Sequence, residues 1–199
     1  MEFPIVTQRL ILRPFLLDDL DDLYAIQSRP DLSKYLYWSP RTRDEVREVL
    51  ARKVGQTGLS RQDDALVLAM TNPGKPGTKT GVIGEVILWL RSVEHRQGEV
   101  GFVMHPDHQG HGFATEATSA VLDLAFGELG LHRVYGRTDF RNEASAALMR
   151  RLGMRQEAHF LQNEMFKGEW GDELVFALLE DEWLTRSEIK KAEQAAPIS

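Results

Sequence analysis

The run Gln109-Gly110-His111-Gly112-Phe113-Ala114 has the residue types and spacing to hold an anion. It follows an apolar stretch, Val100-Gly101-Phe102-Val103-Met104, and leads into a helix-like stretch over 115–126. Ala114, Ala117, Val121 and Leu124 recur there at helical spacing. Glycine lets the backbone approach a charged group closely. The free N–H groups that start a helix then point at that group, and the helix dipole favours its negative charge. The chemistry implied is capture of a phosphate or pyrophosphate. The run has neither the G-x-G-x-x-G spacing of a dinucleotide site nor the lysine of a P-loop.

Other chemistries are excluded by what the chain lacks. It has no cysteine, so disulfides, thiolate catalysis and cysteine metal sites do not arise. Its six histidines show no H-E-x-x-H spacing, and no metal is expected. The net charge of −6 argues against nucleic acid, which needs a basic face, and weakly favours a cationic or amine substrate. No apolar run approaches the ~20 residues of a membrane span, so no membrane partner is expected. Met1-Glu2-Phe3-Pro4 does not open a secretory signal, so the expected location is the cytoplasm.

The elements that must position the cradle are legible in outline. A length of 199 residues with 42% apolar residues suits one domain, taken as 1–189, with a polar tail over 190–199 expected to be mobile. Arg9-Leu10-Ile11-Leu12-Arg13-Pro14 reads as a strand, and 18–27 as a short helix. Tyr35, Tyr37 and Trp38 fall in an aromatic turn; Thr42-Arg43-Asp44-Glu45 reads as a capping box opening the next helix. Strands follow over 65–70, 82–90 and 99–104, the last two as a hairpin. The segment 72–77 reads as a loop. After the cradle helix come a strand over 132–138, a helix over 143–152 capped by Asn142, and strands over 154–166 and 173–178. This predicts a mixed α/β domain with about seven mostly antiparallel strands, not the regular alternation of a dinucleotide-binding fold.

Gln109-x-x-Gly112-x-Ala114 resembles the acyl-CoA pyrophosphate loop, Q/R-x-x-G-x-G/A, of the GNAT superfamily of N-acetyltransferases. Thr7-Gln8-Arg9-Leu10-Ile11-Leu12-Arg13-Pro14-Phe15 resembles the opening strand of its ribosomal-protein-alanine N-acetyltransferase subgroup. Asn142-Glu143-Ala144-Ser145 with Leu152-Gly153-Met154, and Gly168-Glu169-Trp170-Gly171-Asp172, are similar to two further subgroup motifs. Two residues depart from the pattern. His111 stands where relatives carry Lys or Arg, and Met154 replaces a Phe.

The resemblance implies direct acetyl transfer from acetyl-CoA to a primary amine, either a protein N-terminus or a small molecule. A homodimer is expected by family habit alone, and a catalytically silent acyl-CoA sensor is the alternative. It implies that the backbone of Gln109, Gly110, His111, Gly112, Phe113, Ala114 and Thr115 holds the pyrophosphate. Peptide groups of Phe102, Val103 and Met104 would pair with pantetheine, and one N–H there would stabilise the developing oxyanion. Asn142 is a cap, alone or together with a cofactor contact. Ser145 would protonate or hold the leaving thiolate. A base must free the acceptor amine, and Glu164 and Glu99 are the candidates, with Glu85 a weaker third. Glu164 matches the subgroup's base position, and it alternates with Ala158, Phe160, Gln162 and Phe166 on one strand face. Tyr35 and Trp38 would line the acceptor groove, or serve only as core.

Overall fold

Apolar runs rich in Val, Ile and Leu build the centre of the sheet, because only strands covered on both faces can be apolar throughout. In the computed structural model, which describes residues 1–73 and 81–195, the strands are β1 (Ile5–Val6), β2 (Ile11–Pro14), β3 (Ala65–Thr71), β4 (Val82–Ser92), β5 (Gln97–Met104), β6 (Arg133–Asp139), β7 (Arg155–Phe166) and β8 (Glu169–Leu179). They form one sheet in the order β1-β2-β3-β4-β5-β6-β8-β7. Every residue of β3 is buried. All pairings are antiparallel except β5 with β6.

The helices are α1 (Leu20–Gln27), α2 (Pro30–Ser33), α3 (Arg43–Val54), α4 (Phe113–Asp123), α5 (Glu143–Arg151) and α6 (Glu180–Ala195). Leu23 and Ile26 of α1 and Val46 and Leu50 of α3 pack on one face of the sheet, over Val67 and Ala69. Val121 and Leu122 of α4, Leu148 and Met149 of α5 and Trp183 of α6 cover the other. Thr42 caps α3 with its predicted box, its side chain accepting from Glu45 N–H while the Glu45 carboxylate reaches back.

The feature that matters for function lies at the one parallel pairing. β5 and β6 pair only from Gln97↔Arg133 to Glu99↔Tyr135. Beyond that point they part, and α5 packs beside the opening, with Ala146 and Met149 fully buried. The peptide groups of 100–104 therefore keep β4 on one side and lose a strand neighbour on the other.

Three elements were not foreseen. The two-residue β1 makes eight strands rather than about seven, and α2 is a single turn begun by Pro30. α6 runs to Ala195, so the tail expected to be mobile from 190 begins as helix, and 196–199 lie outside the described residues. Its acidic first turn, Glu180, Asp181 and Glu182, suits a helix N-terminus, and Trp183 Nε1 donates to Asp123 Oδ1 at 2.8 Å, tying it to α4. Of the predicted loop over 72–77, positions 74–77 lie outside the described residues. Among the described residues no helix is long and apolar enough to cross a membrane.

Candidate active site

The cradle forms as its glycines require. Gly110 and Gly112 adopt φ of +77° and +79°, a region that L side chains rarely enter. Gly112 is the N-cap of α4, and among the described residues no side chain caps that end. The N–H groups of its first turn are thus available to an anion. Gln109 Nε2 donates to Met104 O at 3.1 Å, fixing the loop to the end of β5.

Arg9, 102 positions away in sequence, organises the loop from behind: Nη1 donates to His111 O at 2.9 Å. Its N–H and Nε each reach the Glu116 carboxylate at 2.7 Å, and Thr7 Oγ1 donates to the same group at 2.6 Å. Burial pulls the Glu116 carboxyl upward, but the Thr7 and Arg9 hydrogen bonds outweigh it and hold it below its ordinary range. A carboxylate in the first turn of α4 would compete with a bound anion, and Arg9 neutralises it. With His111 where relatives carry Lys or Arg, the loop itself carries no permanent positive charge, but the guanidinium of Arg9 lies beside it.

The opening between β5 and β6 continues from the cradle as a cavity of about 600 Å³. Of the eleven residues expected to hold the cofactor, all but His111 line it: Phe102, Val103, Met104, Gln109, Gly110, Gly112, Phe113, Ala114, Thr115 and Asn142. The His111 ring turns aside against the Phe113 ring, 5.7 Å between centroids. Arg151, at the end of α5, also lines this cavity.

A second cavity, about 360 Å³, adjoins the first and shares Tyr35, Phe102, Val103, Asn142 and Ser145 with it. Asn142 Oδ1 accepts from Ser145 N–H at 3.2 Å, so the helix cap holds Ser145 at the boundary between the two spaces. Trp38 and Glu164 line the second cavity. Tyr37 Oη donates to Glu164 Oε2 at 2.7 Å, and Arg137 Nη1 lies 3.7 Å from Oε1. Burial, ahead of the Glu164 carboxylate, pushes the Tyr37 phenol above its ordinary range, so it stays a proton donor to Glu164.

The unbroken alternation expected along β7 is not observed. Register shifts fall between Gln156 and Ala158 and between Phe160 and Glu164, and Gln162 takes a φ of +48°. Bulges of this kind re-aim side chains beside sites. Glu99, the other candidate base, is no exposed strand end. It is buried, accepting from Arg91 Nε at 2.8 Å on one oxygen and from Arg137 Nε at 3.1 Å on the other. Glu85 is buried with Lys53 Nζ 2.7 Å from Oε2, a contact of charges that lacks the direction of a hydrogen bond.

Four residues of this neighbourhood escaped the sequence reading: Arg9, Tyr37 as a direct Glu164 partner, Arg137 and Glu173. Arg137 Nη1 also meets Glu173 Oε1 at 3.2 Å. Burial raises the Glu173 carboxyl above its ordinary range despite Arg137, and Glu164 and Glu99 push the same way. Alternation along β6 and β8 could have flagged Arg137 and Glu173 as charges on largely buried strands. Nothing local marks Arg9. Among the described residues no group of three or more His, Asp or Glu could hold a metal ion.

Comparison with known proteins agrees with this geometry. The family model described as Acetyltransferase (GNAT) domain matches residues 9–155. The Bacillus subtilis protein described as uncharacterized N-acetyltransferase YnaD is 29% identical over 90% of this chain and 98% of its own length. The spermidine N(1)-acetyltransferase of Vibrio cholerae is 25% identical over 92% of this chain and 100% of its own, so the likeness extends beyond the ribosomal-protein subgroup. The crystal structure of a GNAT-family acetyltransferase from Bacillus anthracis superposes with a TM-score of 0.80 at 27% identity, covering 90% of this chain and 100% of that one.

Proposed function

This chain belongs to the GNAT acetyltransferases and is an acetyl-CoA-dependent acyltransferase; from that premise we propose that it transfers acetyl directly to a primary amine held beside Glu164. The observation that carries the proposal is the boundary formed by Ser145, Asn142, Phe102 and Val103, common to both cavities. A donor in the first space and an acceptor in the second would meet there without a covalent enzyme intermediate.

The residues present fit the donor. An uncapped helix N-terminus preceded by two left-handed glycines suits a pyrophosphate, and the strand edge of 100–104 offers peptide groups to the amides of a pantetheine arm. When bound, acetyl-CoA supplies an activated thioester. Gly110 and Gly112–Thr115 hold its phosphates, and Phe102, Val103 and Met104 orient its arm. Asn142 fixes Ser145.

Glu164 takes the proton from the acceptor nitrogen, which is mostly protonated at neutral pH and unreactive in that form. Tyr37 and Arg137 hold the carboxylate in place for this. As the nitrogen bonds to the acyl carbon and the carbon–sulfur bond breaks, the second nitrogen proton passes to the departing sulfur, Ser145 Oγ–H donating to sulfur and its oxygen taking up that proton, so that CoA leaves as the thiol. A thiol has a pKa near ~8.5, so this assistance is modest. Glu99 serves as the anchor of Arg137, both oxygens being held by guanidinium donors. The pairing of Glu164 with Tyr37 favours a working base over the reading as a silent acyl-CoA sensor.

The acceptor is a small amine or a protein N-terminus. The Vibrio cholerae relative is named for spermidine, which supports a small amine. Incubation with acetyl-CoA and an amine panel should release CoA thiol and give one acceptor the mass of an added acetyl group. Tight CoA binding with no thiol release from any amine would favour the sensor.

A further inference from the structure

The acceptor cavity has two electrically unlike ends. At one, Glu99, Glu164 and Glu173 gather around Arg137 at 3.1, 3.7 and 3.2 Å, and Arg91 also holds Glu99. Three carboxylates against two guanidiniums leave this end negative. The other wall carries Arg41, Arg52 and Lys53. Of the two carboxylates whose charge reaches Arg41, Glu85 is taken up by Lys53, and Glu45 accepts from the N–H and Oγ1 of Thr42. Arg41 and Arg52 form no ion pair among the described residues.

Arg41 is the telling group. Its Nη1 donates to a neutral acceptor, Gln27 Oε1, at 2.7 Å, and its backbone N–H donates to Gln27 O at 3.0 Å. Gln27 is buried, so both bonds fix Arg41 against α1. The guanidinium also stacks on Trp38, 5.0 Å from the ring centroid. Burial, the largest effect, pulls its pKa below the ordinary range; Glu85 and, more weakly, Glu45 oppose this, and Arg52 adds to it. A half-buried cation with a neutral partner and a like charge nearby is costly unless something brings a negative charge. Guanidinium is also the side chain best suited to bind carboxylate or phosphate in two-point fashion.

We propose that the acceptor is a primary amine that also carries an anionic group, a carboxylate or a phosphate, held by Arg41 and Arg52 while the amine reaches Glu164. The inference rests on the acetyltransferase reading and narrows it. A polyamine would bring a second cation to the cationic wall, so this chain differs in acceptor class from its spermidine-named relative.

The test is kcat/KM, by CoA-thiol release, for matched acceptors. Phosphoethanolamine is compared with ethanolamine, and β-alanine with its amide, with spermidine as the cationic control. At least one anion-bearing amine should exceed its uncharged partner by about tenfold or more, the scale of one or two charge-assisted hydrogen bonds. Whichever pair shows the larger ratio tells phosphate from carboxylate. In R41Q and in the R41Q/R52Q double variant that ratio should fall toward one. The ratio is taken within each variant, so a general loss of folding or CoA affinity cancels. Preference for spermidine, or a ratio unchanged in the double variant, overturns the inference and leaves the transferase standing. If no amine of any class releases thiol, the transferase reading falls and the inference with it.

Discussion

Replacing Gly112 by valine tests whether the backbone, not a side chain, holds the anion. Gly112 sits at φ +79°. That conformation costs an L-residue about 1–2 kcal/mol, and more for a β-branched one. A Cβ there would lie 3.4 Å from Arg9 Nη2, so the strain is mainly in the backbone and not in a clash. If the loop keeps its shape, that strain lowers Tm by roughly 2–8 °C for a chain of this size. If it relaxes, the N–H groups turn away from the cavity. Each charge-assisted hydrogen bond lost costs about 1.5–3 kcal/mol, so losing two raises the Kd for CoA on the order of 10² to 10⁴-fold. His111 is the contrasting case, because its ring does not line the cavity. H111A should weaken CoA less than about fivefold, within one weak contact. Titration calorimetry with CoA on both variants, with far-UV dichroism to confirm folding, gives the ranking. A folded G112V that binds CoA like the parent, or an H111A that binds worse than G112V, would refute the backbone cradle.

Three further outcomes follow from the site. E164Q should lose about 10² to 10⁴ in kcat, the range of a general base, with CoA affinity unchanged and partial recovery as pH rises and the free amine accumulates; equal loss of CoA affinity in calorimetry would move Glu164 out of the base role. S145A should lose less than about tenfold in kcat, because a thiol near pKa ~8.5 leaves with little acid help, and a loss comparable to that of E164Q would contradict this. Glu173 has its carboxyl raised in the folded state, so the folded form binds more protons than the unfolded one just above the ordinary Glu range. Stability should therefore fall as pH rises through that window, and E173Q should remove this component of the Tm-versus-pH curve; a parent-minus-variant difference that is flat or of opposite sign would argue against it.

Much of the fold was legible because its signals are local. The capping box at Thr42, the Asn142 cap and the two glycines of the cradle each act within a few residues, and all three appear where expected. The elements that were missed lack such signals. α6 has an acidic start but no clear apolar stripe, and its hold on the fold depends on Trp183 reaching Asp123, 60 residues away. The site divides along the same line. Lining residues follow from the loop and strand motifs, whereas the network around Glu164 is assembled from β6, β7, β8 and the aromatic turn. Glu99 shows the cost of reading a residue alone. At the start of a strand it reads as a candidate base, yet Arg91 and Arg137 arrive from β4 and β6 to pair it where it lies buried. Arg9 was read as part of an opening strand, and its hold on the His111 carbonyl emerges only when the sheet brings it to α4.

A crystal structure with CoA bound tests the central claim most directly. The account predicts the pyrophosphate on the N–H groups of 110–115, the pantetheine arm along 102–104 where β5 leaves β6, and the sulfur facing Ser145 at the boundary of the two cavities. CoA bound outside this opening, or with its sulfur turned away from Ser145 and Glu164, would contradict it.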